Sequence, residues 1–423
     1  MSIYPQEDDT VAVVIDTDQW IGSTDGWRPD FTEVIGFPFN DGTAHTTSGV
    51  MINTTRKSGK GFEAAAVKAG FKVLHRSQKL GESCPRTGFT RGSLALLGAV
   101  TESLASKVDI LVIHAWDSQA ALIVRQVLRC HKELKVVIVA SDAYETGNIP
   151  NEYRGRCEIV DPRQYRGLLE EDWAEEEGDD REEPSWEVIP FKKLFESGQP
   201  DGFGWLVGKV LDVANITRWG NSLGSRHDSI FDAANLANFR GFGPNISVMV
   251  DKDGRTGRRE GSRMYFQQAD WTILDGAVRE DGGLLDDGLI GLAMARLAAN
   301  CSQVWLFSGD SDFLPVEKLL SDLYGTEMHR VALPRLTFDN QTKSEVIESE
   351  YTEFHSIMDV IAETGGSIVN VAEPLYPAHL SRRSKPKNRD AKRDWKAGRD
   401  GFRQDMIEGW NRTLTRKGAA PPV

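Results

Sequence analysis

The stretch Gln303–Pro315 reads QVWLFSGDSDFLP and decides the fold class. Four apolar residues from Val304 onward predict a buried strand, a Ser-Gly turn follows, and a helix begins near Val316. Asp310 and Asp312 therefore come directly after a strand, where polar groups of a parallel α/β sheet face a ligand crevice. A charged group without a partner is unfavourable where it is shielded from water. The two carboxylates therefore indicate either that a hard divalent cation binds there or that their side chains cap the N-terminus of the next helix.

Length and composition are those of a globular protein. The chain has 423 residues, 40% of them hydrophobic and 27% charged, which predicts two or three domains. No apolar run approaches the roughly 18 residues of a membrane helix, and the N-terminus lacks the features of a secretory signal, so we expect a cytoplasmic protein without a membrane partner. The four scattered cysteines form no CxxC pair, which argues against a zinc site and a disulfide framework.

Charge is distributed unevenly along the chain. The formal net charge of −13 argues against a protein that coats nucleic acid with its whole surface. Residues 168–187 hold eleven acids and one arginine, whereas residues 381–423 hold thirteen Lys or Arg and five acids. We predict an acidic, solvated linker and a basic C-terminal tail.

The first half of the chain alternates between strand and helix patterns. This alternation predicts βαβ units around a parallel sheet. The expected strands are residues 11–15, 49–54, 71–76, 108–115 and 134–140, and the expected helices are 60–70, 94–106 and 120–128.

The second half repeats this pattern. Its expected strands are residues 246–250, 271–274 and 304–307, and its expected helices are 258–268 and 288–299. The apolar residues Ser229 to Phe231, which lead into Asp232, are matched with the first strand at Val11. The strand at Val304 is matched with Ile110. We infer an internal duplication with a period near 200 residues.

Acidic residues collect at three points of the second copy. A parallel sheet would bring the three points to one edge, where a divalent cation would relieve the mutual repulsion of the carboxylates and could activate water to attack a phosphodiester. The residues are Asp232 after the first strand, Asp286 and Asp287 at the start of a helix, and Asp310 and Asp312 after the central strand.

Two polar neighbours accompany these acids. Asn235 could orient a ligand or the water, and Ser308 could supply a hydroxyl to a phosphate. Both residues are also common turn formers, and this second interpretation stays open.

The first copy retains only part of the acidic set. Asp16 aligns with Asp232 and Asp117 with Asp310, but Gln119 stands in place of Asp312. Such a site should hold metal poorly. This copy is therefore expected to be non-catalytic, either as a phosphate-binding or partner surface or as a purely structural unit.

The second copy resembles the NYN domain family, PIN-like metal-dependent ribonucleases that include LabA-like proteins. The matching motifs are Asp232-Ala-Ala-Asn235, Asp286-Asp-Gly288 and Ser308-Gly-Asp-Ser-Asp-Phe313. The resemblance implies a Rossmann-like PIN fold, bound Mg²⁺ or Mn²⁺, and hydrolysis of RNA. It gives the catalytic and metal-binding role to Asp232, Asp287, Asp310 and Asp312, with Asn235 in support.

The expected fold class is α/β, with two tandem Rossmann-like (PIN-like) parallel-sheet domains joined by an acidic linker. We expect a degenerate domain over residues 1–166, an acidic linker and connecting segment over 167–225, a catalytic domain over 226–365 and a basic tail over 366–423. Copies of the chain could also assemble as a homo-oligomer.

The predicted function is a metal-dependent endoribonuclease, and the alternative is a non-catalytic RNA-binding or regulatory protein built on a nuclease fold. RNA contact is expected from the tail and from a basic cluster of Lys252, Arg255, Arg258 and Arg259, with Ser308 at the phosphate. A phosphatase of the haloacid dehalogenase type is excluded, because its two motif-like pieces, at Asp16 and at Gly309, belong to different copies.

Overall fold

The structure is a computed structural model. It describes residues 3, 5–17, 30–36, 39, 45–53, 60–75, 91–114, 118–139, 153, 155–160, 186–196, 206–216, 232–250, 263–278, 284–332 and 351–364. The chain divides into two compact units. The first comprises Met1–Gly202, Arg279–Ala299 and Asp312–Gly325, and the second comprises Phe203–Val278, Asn300–Ser311 and Thr326–Val423.

A seven-stranded sheet forms the centre of the first unit. Six of its strands lie in the order β3-β2-β1-β4-β5-β6, and β7 pairs with β2. The strands are β1 (Thr10–Asp16), β2 (His45–Asn53), β3 (Phe71–His75), β4 (Ile110–His114), β5 (Lys135–Val139), β6 (Cys157–Val160) and β7 (Trp186–Val188).

The second sheet has the same plan. Six of its strands lie in the order β10-β9-β8-β12-β13-β14. The strands of this half are β8 (Val207–Asp212), β9 (Asn245–Val250), β10 (Trp271–Val278), the two-residue β11 (Leu284–Leu285), β12 (Gln303–Phe307), β13 (Glu327–Ala332) and β14 (Thr352–Ser356).

Helices connect many of these strands. They are α1 (Phe31–Val34), α2 (Lys60–Lys68), α3 (Arg91–Ala105), α4 (Ser118–Cys130), α5 (Ala233–Ala237), α6 (Asp287–Ala298), α7 (Leu314–Tyr324) and α8 (Ile357–Thr364). Within the described ranges, no helix is both long and apolar enough to cross a membrane.

The central strands are buried on both faces, which explains their apolar sequences. Every residue of β4 is buried, as are Val11 to Asp16 of β1. All pairings within the two six-strand orders are parallel where their register is defined, as between Val13 and Val112. Parallel sheets covered on both faces read as continuous apolar runs rather than as an alternation. The prediction of parallel α/β sheets is confirmed.

Numbered within its own sheet, each set of six strands has the order 3-2-1-4-5-6, so the two sheets share one topology. The predicted match for the first strand is wrong, however. The strand equivalent to β1 is β8, which lies between β9 and β12. Residues 217–231, which include the expected strand start at Ser229, lie outside the described residues.

The segment predicted as linker contains regular structure. Residues 167–225 include β7, a 3₁₀ helix at Phe191–Phe195, and β8, the first strand of the second sheet. The acidic run at 170–183 and the basic tail at 366–423 lie outside the described residues, and both stay predictions.

Helices α3 and α6 pack against each other within the first unit, and glycines make this approach possible. A Cβ atom at Gly98 would lie 1.9 Å from the carbonyl oxygen of Gly288, and one at Gly291 would lie 2.0 Å from that of Ala95. Only residues without a Cβ fit where two backbones come this close. The contact therefore depends on glycine at both positions.

Candidate functional site

The candidate site lies where the strand order of the second sheet reverses direction, between β8 and β12. Leu211 of β8 is the register partner of Phe307 of β12, so the two strands end side by side. Asp212 is the last residue of β8, and Ser308 and Asp310 follow the end of β12. In open parallel sheets this reversal point, at the carboxyl ends of the strands, is where ligands bind.

Asp212 is buried, and both of its carboxylate oxygens accept hydrogen bonds. Oδ1 accepts from the backbone N–H of Asn215 at 3.0 Å. Oδ2 accepts from the Ser308 hydroxyl at 2.8 Å and from the Asn215 side-chain amide. An ionised carboxylate has about four acceptor positions, and these three bonds leave room for one further ligand on Oδ1.

Ser308 connects Asp212 to the loop that carries Asp310. Its hydroxyl oxygen accepts from the side-chain amide of Asn215 at 3.0 Å and from the backbone N–H of Asp310 at 3.2 Å. The Arg330 guanidinium, buried on β13, donates to the backbone carbonyl of Asp310 at 2.6 Å. These bonds fix the loop from both sides and hold Asp310 close to Asp212.

The electrostatics of Asp212 favour a cation. Burial raises the pKa of the Asp212 carboxyl, and the nearby Asp310 raises it further, while hydrogen bonds from Asn215 and Ser308 act in the opposite direction. The net pKa lies above the ordinary value. A divalent ion at the carboxylates would reverse this effect, because it offsets both the lost hydration and the like charge.

Asp232 and Asn235 lie elsewhere in the second unit. Asp232 is the N-cap of α5, and its Oδ1 accepts from the backbone N–H of Asn235 at 2.9 Å. The side-chain amide of Asn235 donates to the carbonyl oxygen of Thr364 at 3.0 Å. The prediction that Asp232 follows the first strand is wrong, because the residue at that point is Asp212.

Three other predicted site residues belong to the first compact unit. Asp286 precedes α6 and Asp287 is its first residue, and both side chains are buried. Asp312 lies in a 3₁₀ turn at Ser311–Phe313. Within the second unit, the structure brings together Asp212, Asn215, Ser308 and Asp310.

Sequence reasoning missed Asp212, Asn215 and Arg330. The Asp-x-x-Asn spacing of Asp212 and Asn215 also occurs at Asp232 and Asn235, 20 residues later, and the prediction selected the second occurrence. An apolar run ending in that motif was the available signal, but Lys209 interrupts it. Nothing in the sequence around Arg330 indicates its contact with Asp310.

In the first sheet, the residue equivalent to Asp212 is Asp16, the buried last residue of β1. The neighbouring Thr17 hydroxyl donates to the Ile52 carbonyl oxygen at 3.1 Å. Asp117 lies outside the described residues, as does the basic cluster of Lys252, Arg255, Arg258 and Arg259. The predicted contacts of that cluster with RNA therefore stay predictions.

No protein family and no curated protein matches the chain. A solved protein of unknown function from Vibrio parahaemolyticus, VPA0982, is 13% identical, with 37% of this chain and 94% of that chain covered and a TM-score of 0.30. A glycosyltransferase from Rickettsia africae is 12% identical, with 96% and 99% covered and a TM-score of 0.21. The heptosyltransferase WaaC from E. coli, solved with ADP, is 11% identical, with 85% and 96% covered and a TM-score of 0.23.

These comparisons contradict the predicted endoribonuclease, because the two named structures that match most of the chain are a glycosyltransferase and a heptosyltransferase. The assignment to the hydrolases and the alternative of an RNA-binding protein on a nuclease fold are withdrawn with it. TM-scores of 0.21 and 0.23 are too low to assign sugar transfer to this chain. The resemblance to the NYN family stays a prediction.

Proposed function

We propose that the carboxyl edge of the second sheet binds one Mg²⁺ or Mn²⁺ ion through Asp212 and Asp310, and that this ion holds a phosphate group of a ligand. The observation that carries the proposal is the burial of the Asp212 carboxylate beside a second acid at the reversal point of the strand order. A buried carboxylate next to another is unfavourable unless a cation accompanies it.

The donor set favours a hard cation. It consists of carboxylate oxygens, together with the Ser308 hydroxyl and the Asn215 side chain that fix them. Mg²⁺ is typically bound by one or two carboxylates, keeps several waters and uses the remaining positions for phosphate oxygens. Two carboxylates with one open acceptor position on Asp212 fit that pattern.

A bound ion would act on the ligand at this edge of the sheet through its positive charge. A bound ion supplies positive charge that orients a phosphate and stabilises negative charge on its oxygens. The protein residues hold the two acids in place: Asn215 and Ser308 fix Asp212, and Arg330 fixes the Asp310 backbone.

The finer fold assignment is also proposed. We infer that each sheet belongs to a PIN-like domain, as the NYN resemblance implies. The shared 3-2-1-4-5-6 order and the Asp-x-x-Asn motif that begins at the last residue of β8 support this assignment. An experimental structure of the second unit that superposed on an NYN domain with a TM-score below about 0.5 would refute it.

The cation is tested by titrating the full chain with Mn²⁺ and measuring free ion by electron paramagnetic resonance. We expect one ion per chain, displaced by Mg²⁺, with at least about tenfold weaker binding in Asp212→Asn and in Asp310→Asn. Asp322→Asn is the matched control, because Asp322 is an exposed acid of α7. Binding that is equal in all four proteins would exclude this site.

The ligand is tested separately with ADP as a phosphate probe, by calorimetry with and without Mg²⁺. ADP should bind only with the ion, and Asp212→Asn should lose that binding. A short oligoribonucleotide in the same assay tests the RNA partner predicted from sequence. If Mn²⁺ binds at Asp212 and neither probe does, the phosphate part of the proposal is wrong and the cation site stands.

A further inference from the structure

A cluster of two histidines and one glutamate lies on a different part of the second sheet. Parallel register places Trp305 of β12 beside His329 of β13, and His329 beside Glu353 of β14. His355 is two residues beyond Glu353 on the same strand. Because side chains alternate along a strand, all four project from one face of the sheet.

The ligand-capable atoms of this cluster have the separations of a metal coordination sphere. His329 Nδ1 lies 3.2 Å from His355 Nε2. The Glu353 oxygens lie 3.5 Å from His329 Nδ1 and 3.7 Å from His355 Nε2. Two ligand atoms at about 2.05 Å from a tetrahedral ion are about 3.3 Å apart, so the three groups need little movement to share one ion.

The two imidazoles are held by an aromatic stack. The Trp305 indole is stacked on His329 at 4.4 Å and 9° and on His355 at 4.4 Å and 29°. Stacking of this kind limits ring rotation, which keeps Nδ1 of one ring directed at Nε2 of the other. A site whose ligands are already oriented loses less entropy on binding an ion.

Burial and the nearby Arg240 favour the uncharged form of both imidazoles, whereas the surrounding carboxylates oppose it. Burial lowers the pKa of His329, with Arg240 acting in the same direction and Glu353 and Glu327 opposing. Burial also lowers the pKa of His355, with His329 and Arg240 in the same direction and Glu353 and Asp359 opposing. Arg240 is itself paired with Glu363 at 3.0 Å.

An outer carboxylate is positioned behind His329. Glu327 Oε2 lies 3.7 Å from His329 Nε2, the ring nitrogen that faces away from His355. The Gln303 side-chain amide donates to the same Glu327 oxygen at 2.8 Å. Histidine ligands of metals usually direct their second ring N–H to a carboxylate. Glu327 is the carboxylate on this side of His329, at a separation slightly longer than a hydrogen bond.

We propose that His329, Glu353 and His355 bind a divalent transition-metal ion of the zinc class. Two imidazole nitrogens and one carboxylate suit Zn²⁺, Co²⁺, Ni²⁺ or Fe²⁺ better than Mg²⁺ or Ca²⁺. Three protein ligands leave at least one position open to water, and the exposed side chain of Glu353 gives the ion access from solvent. This site shares no residue with Asp212 and Asp310, so it does not depend on the function proposed above.

The test is a titration of the full chain, free of any polyhistidine tag and stripped with a chelator, with Co²⁺ as a visible-absorbing probe. The wild type should bind one Co²⁺ with the absorption bands of a nitrogen and oxygen environment, and Zn²⁺ should displace it. Glu353→Gln should weaken binding at least about tenfold, and His355→Gln should weaken it at least as much. Because Glu353 is exposed, its variant is expected to fold normally.

Two controls locate the ion. His75→Gln changes an exposed histidine on β3 and should leave Co²⁺ binding unchanged. The Asp212→Asn variant should also bind Co²⁺ normally, which separates this site from the carboxylate site. If Glu353→Gln folds and binds Co²⁺ as tightly as the wild type, the proposal is overturned. It is equally overturned if the wild type takes up no Co²⁺ at a hundred-micromolar concentration, and the cluster is then a hydrogen-bonded aromatic stack.

Discussion

Glu102 of α3 and Arg296 of α6 form a two-pronged ion pair within the first unit. Arg296 Nε donates to Glu102 Oε1 at 2.7 Å, and Nη2 donates to Oε2 at 3.0 Å. Burial alone would raise the pKa of Glu102, but hydrogen bonds from His131 and Arg296 bring it below the ordinary value. The pair is therefore ionised, and each charge depends on the other.

Replacing Arg296 by Met should destabilise the protein by about 3 kcal/mol, because it leaves a buried carboxylate without its main counter-charge. Urea denaturation followed by circular dichroism measures the change. The double variant Glu102→Met with Arg296→Met should recover most of the loss, since both charges are then removed. Equal stability of the single variant and the wild type would show that the pair contributes nothing.

The glycines between α3 and α6 give a second prediction. Gly291→Ala should destabilise by several kcal/mol or prevent folding, because its Cβ would lie 2.0 Å from the Ala95 carbonyl oxygen. The matched control is Gly61→Ala in α2, where a Cβ meets nothing within 4 Å. That change should stabilise by about 0.5 to 1 kcal/mol, since alanine favours the helix. Thermal unfolding of both variants measures the two changes in stability. A Gly291→Ala variant as stable as the wild type would contradict the close packing of α3 and α6.

Stability should depend on pH through His114. Burial lowers the pKa of His114 from 6.5 to about 3. Between these values the unfolded chain binds a proton that the folded chain does not, so the free energy of unfolding falls as the pH falls below 6.5. Relative to neutral pH, the loss from this group at pH 5 is about 2 kcal/mol.

The measurement compares guanidinium denaturation of the wild type and His114→Leu at pH 7.5 and pH 5. The variant should lose less stability than the wild type over this interval, because it has no proton to take up on unfolding. Matching losses in the two proteins would mean that His114 is protonated in the folded state or reaches solvent.

Asp212→Asn should change stability in opposite directions with and without cation. Since the pKa of Asp212 is raised in the folded state, the free energy of unfolding falls as the pH rises from the ordinary pKa of an aspartate to the raised one. Without metal, the variant should therefore melt at or above the wild-type temperature. With Mg²⁺ the wild type alone should gain stability. A variant that is less stable without metal would show that Asp212 is structural.

The strands that sequence reasoning found are those with uninterrupted apolar runs. Val11 to Ile15 and Val304 to Phe307 needed no tertiary information, because a strand buried on both faces has few polar positions. Asp310 was found for the same reason, since it follows the clearest strand of the chain. Asp310 and the preceding Ser308 are the part of the candidate site that the sequence predicts.

Asp212 was missed because of a tertiary contact. Lys209 stands in the middle of β8 and breaks its apolar pattern, yet its ammonium group is buried and donates to the carbonyl oxygens of Ala237 and Gly241 at 2.9 and 3.0 Å. These acceptors are 28 and 32 residues away. The ammonium group of this lysine reaches its hydrogen-bond acceptors only in the folded protein. In the sequence alone, such a lysine looks like a loop residue.

The His329, Glu353 and His355 cluster illustrates the same limit. Its members have no spacing that predicts a metal site, because residues 333–351 separate the two strands. Only the register of β13 with β14 places His329 opposite Glu353. A set of ligand residues that comes together only when two strands pair across a long connection cannot be recognised from local sequence patterns.

The contact between α3 and α6 also relates two positions that the repeated sequence pattern matches with each other. Glu102 and Arg296 are 194 residues apart, the same offset that relates Ile110 to Val304, so the ion pair joins positions that the predicted repeat makes equivalent. Two glutamates or two arginines at this buried contact would repel each other. The contact within the first unit therefore requires that these two positions carry opposite charges.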